Sequence, residues 1–289
     1  MTYQLCEREG DSMPGYDLHV HTTASDGVLN GEEIIKLAIK LRLEGIAITD
    51  HDTIDGLDEG VELGEKYQFP VIPGIELSTQ YQNTEIHILG YHFDYHLSWV
   101  TDKLHYLQDA RVARVGKMVD KLQKLGYDVE KDEVLSLSGS GSVGRPHLAY
   151  LLLKKGYISS VQEAFQRLIG RGCPAYVRRE KLTPNEAVAF ISRAGGVPVM
   201  AHPGLTKTDH LIYNLKEQGL KGLEVYHPDH GADDEKKYCS LAEKLGLVAT
   251  GGSDFHGSNK DISRFSLGGK TVSARVVNNL RQLATWGKV

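Results

Sequence analysis

Apolar runs along this chain end, one after another, in histidines and carboxylates. Asp17-Leu-His-Val-His21 is followed by Asp26, the run 45–49 ends in Asp50-His51-Asp52, and 71–75 ends in Glu76. His87 lies in 85–89, His202 follows 197–201, and Asp254 with His256 follows 247–250. Strand ends are where parallel α/β proteins gather a site from distant parts of the sequence. His19 and His21 are two apart, and alternate strand residues share a face, so both imidazoles can reach one ion. A lone histidine on a strand is ordinarily a packed or solvated residue, and chance explains any single cluster. Charged groups are rarely left unpaired at the mouth of a buried strand, however, and cations are the simplest partner for so many of them. Together the clusters describe a multinuclear metal hydrolase.

The apolar runs alternate with segments of helical spacing. Asn30 caps one such segment, with Glu33 completing a capping box before Ile34, Ile35, Ala38 and Leu41, and Gly45 is expected to stop it. Helices at 184–193, 209–218 and 233–244 alternate with strands ending at Ala201, Tyr226 and Gly251, whereas Gln82-Asn83 turns a hairpin whose second arm carries His87. This rhythm predicts a mainly parallel sheet, closed or nearly closed into a barrel, built from 16–97 and 181–289 after an irregular lead-in at 1–15. Between 98 and 180 the strands disappear, and 99–125, 130–137, 146–155 and 160–169 read as helix. That block is predicted to be an α-helical insertion standing over the barrel mouth. With 289 residues, 40% of them hydrophobic, the chain is long enough for a barrel plus an insertion. It contains no internal repeat, no apolar run of membrane length and no signal-peptide pattern in its first fifteen residues, and Cys6, Cys173 and Cys239 match neither a zinc knuckle nor a disulfide framework. Cytoplasmic residence is the expectation. No membrane role is indicated, and a net charge of −5 argues against a broad surface for long nucleic acid, so small nucleotides or short oligomers met in a local basic pocket fit better. No obligate protein partner is indicated.

The motifs Asp17-Leu-His-Val-His-Thr-Thr-Ala-Ser-Asp-Gly27, Ile48-Thr-Asp-His-Asp-Thr53, Gly74-Ile-Glu-Leu-Ser78, Ala201-His-Pro203 and Gly252-Ser-Asp-Phe-His256 resemble those of the PHP (polymerase and histidinol phosphatase) phosphoesterases. The resemblance runs from about Tyr16 into the C-terminal region. It implies an α/β fold, a distorted (β/α)7 barrel, holding two to three divalent ions, manganese foremost, with iron or zinc as alternatives. Carried over by position, His19, His21, Glu76 and Asp254 would hold the first ion, and Asp26, His51 and His202 the second. Glu76 would bridge to a third, completed by His87 and His256. No ligand position is missing, which sets the chain apart from a non-catalytic, metal-stabilised interaction module. An amidohydrolase also begins with His-x-His on a barrel strand, but the Asp26 loop and the Glu76 motif fit the PHP pattern better.

Substrate identity should lie in the insertion, because the ions supply generic chemistry: a hydroxide of lowered pKa attacking phosphorus in line with the leaving oxygen. The turn 139–144 leads into Arg145-Pro-His147, and 167–181 adds Arg171, Tyr176, Arg178 and Arg179. By composition these fit a phosphate grip or a plain solvated surface equally. The Gly144-Arg-Pro-His147 and Gly170-Arg-Gly-Cys-Pro-Ala-Tyr-Val177 segments resemble the subfamily acting on nucleoside 3',5'-bisphosphates and short 5'-phosphorylated RNA. On that likeness Arg145, His147 and Arg179 would contact phosphate. His227, in Val225-Tyr-His-Pro228 at another strand end, fits a proton donor to the leaving oxygen, a phosphate contact or a structural histidine. Histidinol-phosphate phosphatase activity, or another small phosphomonoesterase activity, is the alternative reading.

Overall fold

The computed structural model describes residues 15–138, 143–257 and 266–287. The lead-in at 1–15 therefore lies outside the described residues except for Gly15, as does most of the turn 139–144. The elements run β1 (Tyr16–Val20), α1 (Gly31–Lys40), β2 (Gly45–Ile48), α2 (Leu57–Tyr67), β3 (Val71–Tyr81), β4 (Thr84–Tyr91) and α3 (Ser98–Lys124). There follow α4 (Lys131–Ser138), α5 (Arg145–Lys154), α6 (Val161–Ala164) continuing into a π-helical turn (Phe165–Ile169), α7 (Pro184–Arg193), β5 (Val197–Met200) and α8 (Pro203–Thr206). The last are α9 (Asp209–Glu217), β6 (Gly222–Tyr226), α10 (Ala232–Leu245), β7 (Val248–Gly251) and α11 (Ala274–Leu283).

All seven strands form one sheet in sequence order. Every neighbouring pair is parallel except those of β4, which runs antiparallel to both β3 and β5. A bridge from Val20 to Phe255, just past β7, brings the first strand against the last, and one from Tyr16 to Val272 pairs β1 with the segment before α11, so the sheet is nearly closed, as the alternation of elements predicts. The β3–β4 hairpin turns over two residues, with Gln82 in the left-handed conformation that tight hairpin turns require. Except for the β3–β4 hairpin, whose outer end is partly exposed, the strands are short and largely buried. β2, for example, is solvent-free along its whole length because helices cover one side and other strands the rest.

The chain folds as two compact units, one comprising the described residues up to Thr101 and from Leu182 onward, the other Asp102–Lys181. The first is packed on Leu18, Ala47, Leu89, Tyr91, Val199 and Leu280 among others, and the second on Met118, Leu122, Leu148, Leu152 and Ile169. α1 begins as its sequence signals say: Asn30 Oδ1 accepts from the Glu33 N–H at 2.9 Å, and Glu33 Oε2 accepts from the Asn30 N–H at 2.9 Å. Its end differs from expectation. The helix stops at Lys40, Arg42 takes up φ 61°, and Gly45 opens β2 rather than closing the helix. Among the cysteines, Cys173 keeps a free thiol, while Cys239 is disulfide-bonded, which corrects the reading of the cysteines as outside any disulfide. No helix among the described residues is long and apolar enough to cross a membrane.

Candidate metal centre

Glu76 lies fully buried in the middle of β3 and faces five imidazoles. Its Oε2 is 3.2 Å from His19 Nε2, 3.3 Å from His21 Nε2 and 3.0 Å from His51 Nδ1, while Oε1 is 2.8 Å from His87 Nδ1 and 3.2 Å from His202 Nε2. The backbone explains the convergence. His19 and His21 project from the same face of β1 by the two-residue repeat. Beyond the end of β2, the Asp52 N–H donates to the Glu76 carbonyl at 3.0 Å and the Glu76 N–H donates to the Asp50 carbonyl at 3.2 Å, so pairing with β3 continues and carries His51 alongside Glu76. The hairpin sets His87 opposite Ser78, two residues beyond Glu76.

A second carboxylate closes the inner group. Asp254 Oδ1 lies 3.3 Å from His19 Nε2 and 3.1 Å from His21 Nε2, and ligand atoms of His19, His21, Glu76 and Asp254 all fall within 4.8 Å of one another. This is the quartet expected for the first ion. The outer residues sort differently from expectation. His256 Nε2 is 3.2 Å from Asp26 Oδ1, its ring stacks on His21 with centroids 4.1 Å apart, and His21, Asp26, His51 and His256 form a second clustered group. His202 instead stands beside Glu76 and edge-on to His87, at 5.2 Å between ring centroids. His227 is fully buried with its Nε2 3.5 Å from Asp254 Oδ2. Arg145, His147 and Arg179 belong to the other unit.

Electrostatics mark this cluster as built for positive charge. Burial alone would lower His21, yet the adjacent Asp254 and Glu76 carboxylates raise it to about 10, and Glu76 likewise raises His87 to about 9. His51 goes the other way, to about 4, because burial and the neighbouring His21 charge outweigh Glu76. Glu76 and Asp254 are held well below the usual carboxylate range despite their burial by the histidines around them. His19 Nε2, both ring nitrogens of His21, His51 Nδ1, Glu76 Oε2 and His202 Nδ1 are buried without a hydrogen-bond partner among the described residues. Buried polar atoms ordinarily have partners. Convergent nitrogen and carboxylate lone pairs left in this state fit divalent cations, and with no thiolate among them they suit manganese, iron or zinc.

The backbone is shaped to hold this geometry. His202 (φ 26°), Asp254 (φ 51°) and Asp52 (φ 54°) occupy left-handed conformations, each costing on the order of 1–3 kcal/mol and persisting only where the surroundings impose it. Gly252 lets the β7 end press on β1, since a Cβ there would lie 2.4 Å from the His19 nitrogen. Acidic residues beside the ligand positions act as clamps. Asp50 accepts from the Thr22 N–H, the Thr22 hydroxyl and the Ser25 hydroxyl, fixing the loop that carries Asp26. Asp17 accepts from the N–H groups of His19, Ser253 and Gly268 and from the Ser253 hydroxyl, and burial still pushes it up to about 6. Sequence reasoning missed Glu224, a fully buried carboxylate in the centre of β6. The available signal was a single acid within the otherwise apolar Gly-Leu-Glu-Val-Tyr.

A seven-stranded, nearly closed sheet with a histidine and carboxylate cluster at its strand ends defines a metal-dependent hydrolase of the barrel type. The family model described as PHP domain matches residues 17–172, and the chain belongs to that family of metal-dependent phosphoesterases. It is 34% identical over 246 residues to a 5'-3' exoribonuclease of Haemophilus influenzae, covering 83% of this chain and 89% of the relative. A phosphoribosyl 1,2-cyclic phosphate 1,2-diphosphodiesterase of Eggerthella lenta is 33% identical over 247 residues, covering 83% and 94%. A 3',5'-nucleoside bisphosphate phosphatase of Chromobacterium violaceum is 30% identical over 250 residues, covering 84% and 88%. Among solved structures, a chain described as a metal-dependent phosphoesterase of Bifidobacterium adolescentis superposes with a TM-score of 0.81 at 28% identity, covering 96% of this chain and 98% of that one.

Proposed function

We propose that this enzyme removes the 3'-phosphate of nucleoside 3',5'-bisphosphates, giving the 5'-monophosphate and phosphate, and acts on short 5'-phosphorylated RNA in the cytoplasm. The convergence of five imidazoles on Glu76 carries the phosphoesterase chemistry. Two relatives named for a nucleoside bisphosphate and for RNA support the substrate class. The ligand sets we propose are His19, His21, Glu76 and Asp254; Asp26, His51 and His256; and Glu76, His87 and His202. This regroups His202 and His256 by the distances above. Divalent ions bound there, manganese foremost, supply Lewis acidity toward the phosphoryl oxygens and make water nucleophilic at neutral pH.

The residues of the chain do the rest. Glu76 joins the inner and outer sets through its two oxygens. The Asp229 N–H donates to His227 Nδ1 at 3.1 Å, so the neutral ring carries its proton on Nε2, the atom facing Asp254, from which it can donate a hydrogen bond to a phosphoryl or leaving oxygen. In the helical unit, burial together with the charges of Arg145, Arg179 and Arg111 lowers Arg114 to about 10, which reflects a dense group of guanidinium ions suited to an anion. The Gly144 N–H donates to His147 Nδ1 at 3.1 Å, tying that ring to the start of α5. We assign Arg145, His147 and Arg179 to the substrate phosphate that is not hydrolysed, and the unit 102–181 to substrate recognition.

The test is phosphate or nucleotide release by manganese-loaded protein from adenosine 3',5'-bisphosphate, 3'-AMP, 5'-AMP, a short 5'-phosphorylated RNA, a ribose 1,2-cyclic phosphate and histidinol phosphate. Preference for the bisphosphate or the RNA is expected. Turnover of the cyclic diester alone would favour the second reading that the Eggerthella lenta relative supports, and turnover of histidinol phosphate alone would overturn the nucleotide assignment.

A further inference from the structure

Glu224 touches two of the proposed ligand residues by different means. Its Oε1 accepts from His19 Nδ1 at 2.9 Å, and its Oε2 accepts from the backbone N–H of His202 at 2.8 Å. The side chain is fully buried, and so is His19. Burying a carboxylate is costly, and it persists where hydrogen bonds and charge compensate it. Here one compensating bond leads to the ring that faces Glu76 and Asp254 through its other nitrogen, and the other leads to the residue with the least ordinary backbone in the site, His202 at φ 26° and ψ 59°.

We infer that Glu224 is a positioning residue for the metal centre, fixing the His19 proton on Nδ1 so that the Nε2 lone pair faces the inner ligand set, and holding the His202 backbone in the turn that aims its ring at Glu76. This rests on the metal reading proposed above. An ionised carboxylate only accepts, so whichever oxygen meets His19 must receive an N–H, and the ring has no other tautomer available in its neutral form. Two acceptors on one rigid group also couple two ligands that lie far apart in the sequence, one on β1 and the other just past β5. An amide in the same place has one acceptor. If its oxygen keeps the His202 N–H, its NH2 group meets His19 Nδ1 and drives the proton to Nε2, which removes the metal-facing lone pair; if it is turned round, the His202 turn loses its anchor.

The experiment compares wild type with Glu224→Gln, measuring Mn²⁺ affinity by competition with a chelator and folding by circular dichroism melting of the metal-free proteins. The expected result is a loss of about 10- to 100-fold in Mn²⁺ affinity with the fold retained. Equal affinity in the two proteins would overturn the role of Glu224 while leaving the metal centre standing, whereas a wild type that takes up no Mn²⁺ would sink the metal reading itself. Should the variant fail to fold, long-range ¹H–¹⁵N spectra of zinc-loaded wild type decide the matter without it. The His19 ring, identified by its disappearance in His19→Asn, should carry its proton on Nδ1, and a proton on Nε2 would overturn the inference.

Discussion

At Glu76, protons and metal ions compete for the same atoms, and that competition should be visible in stability. In metal-free protein His21 lies at about 10 and His87 at about 9, against about 6.5 for an unfolded histidine. A raised folded value means the folded state binds the proton more tightly, so their stabilising contribution is complete below pH 6.5 and disappears as the pH climbs through 9 and 10. His51, depressed to about 4, favours the fold in its neutral form, and its contribution is lost as the pH falls from 6.5 toward 4. Chelator-treated protein should therefore show a Tm that declines between pH 7 and 10, and a Tm rising over that interval would contradict the charge assignment. His51→Ala should lower turnover by more than about 100-fold, since even partners outside the ligand set cost 10- to 100-fold, while the circular dichroism spectrum stays native. Full turnover with unchanged metal content would remove His51 from the site. The gathering of nine histidines and acids, which we propose as ligands, was legible because such residues at strand ends have few other uses. How they partition was not, because sequence order does not reveal that His256 stacks on His21 or that His202 stands beside His87. Glu224 escaped notice for a related reason: one acid in a buried strand reads as an exception until its two partners are seen.

Strands and their ends position these side chains, and small changes in the elements should separate site effects from stability effects. Gly252→Ala would drive a methyl group against the His19 backbone, so β1 and the end of β7 must move apart at the inner ligand set. We expect weakened Mn²⁺ binding measured by chelator competition, with unaltered affinity as the contrary result. Asn30→Ala, at the start of α1 and outside the proposed ligand sets, should cost about 1 kcal/mol by removing a cap, or roughly 2–4 °C in Tm for a domain of this size, with kcat unchanged. A loss of activity without loss of stability would show that α1 does more than cover the sheet. The start of α1 was readable from its cap at Asn30; α7 begins at Pro184 as expected, and there the Thr183 hydroxyl accepts from the Glu186 N–H at 3.3 Å. Helix ends were less so. Arg42 adopts the left-handed turn that a sequence reader assigns to glycine, because the chain must reverse there to enter β2 whatever residue stands at the corner. The same difficulty hid the π-helical turn at Phe165–Ile169, whose residues carry no signal distinct from ordinary helix.

For the whole molecule, a net charge of −5 makes local charge the determinant of substrate choice. Arg145→Ala should raise KM for adenosine 3',5'-bisphosphate by roughly 10- to 100-fold, the worth of about 1.5–3 kcal/mol for one hydrogen bond to a charged group, and change KM for 3'-AMP far less. Equal effects on both substrates would take Arg145 away from the second phosphate. Barrel architecture was legible from the alternation of strands and helices, because a parallel sheet needs a crossover between neighbours and the chain supplies one nearly every time. The grip between Asp17 and Ser253 was not, since it joins residues 236 apart. That long grip sets a schedule. At 5–20 residues per second, roughly 10–50 s of synthesis separate the emergence of its two ends from the ribosome. Throughout that wait His19 and His21 are without the Asp254 carboxylate that faces them in the folded protein. Asp254 and His256 follow directly on Ser253, so the proposed ligand sets can be complete only once the last part of the barrel has been made.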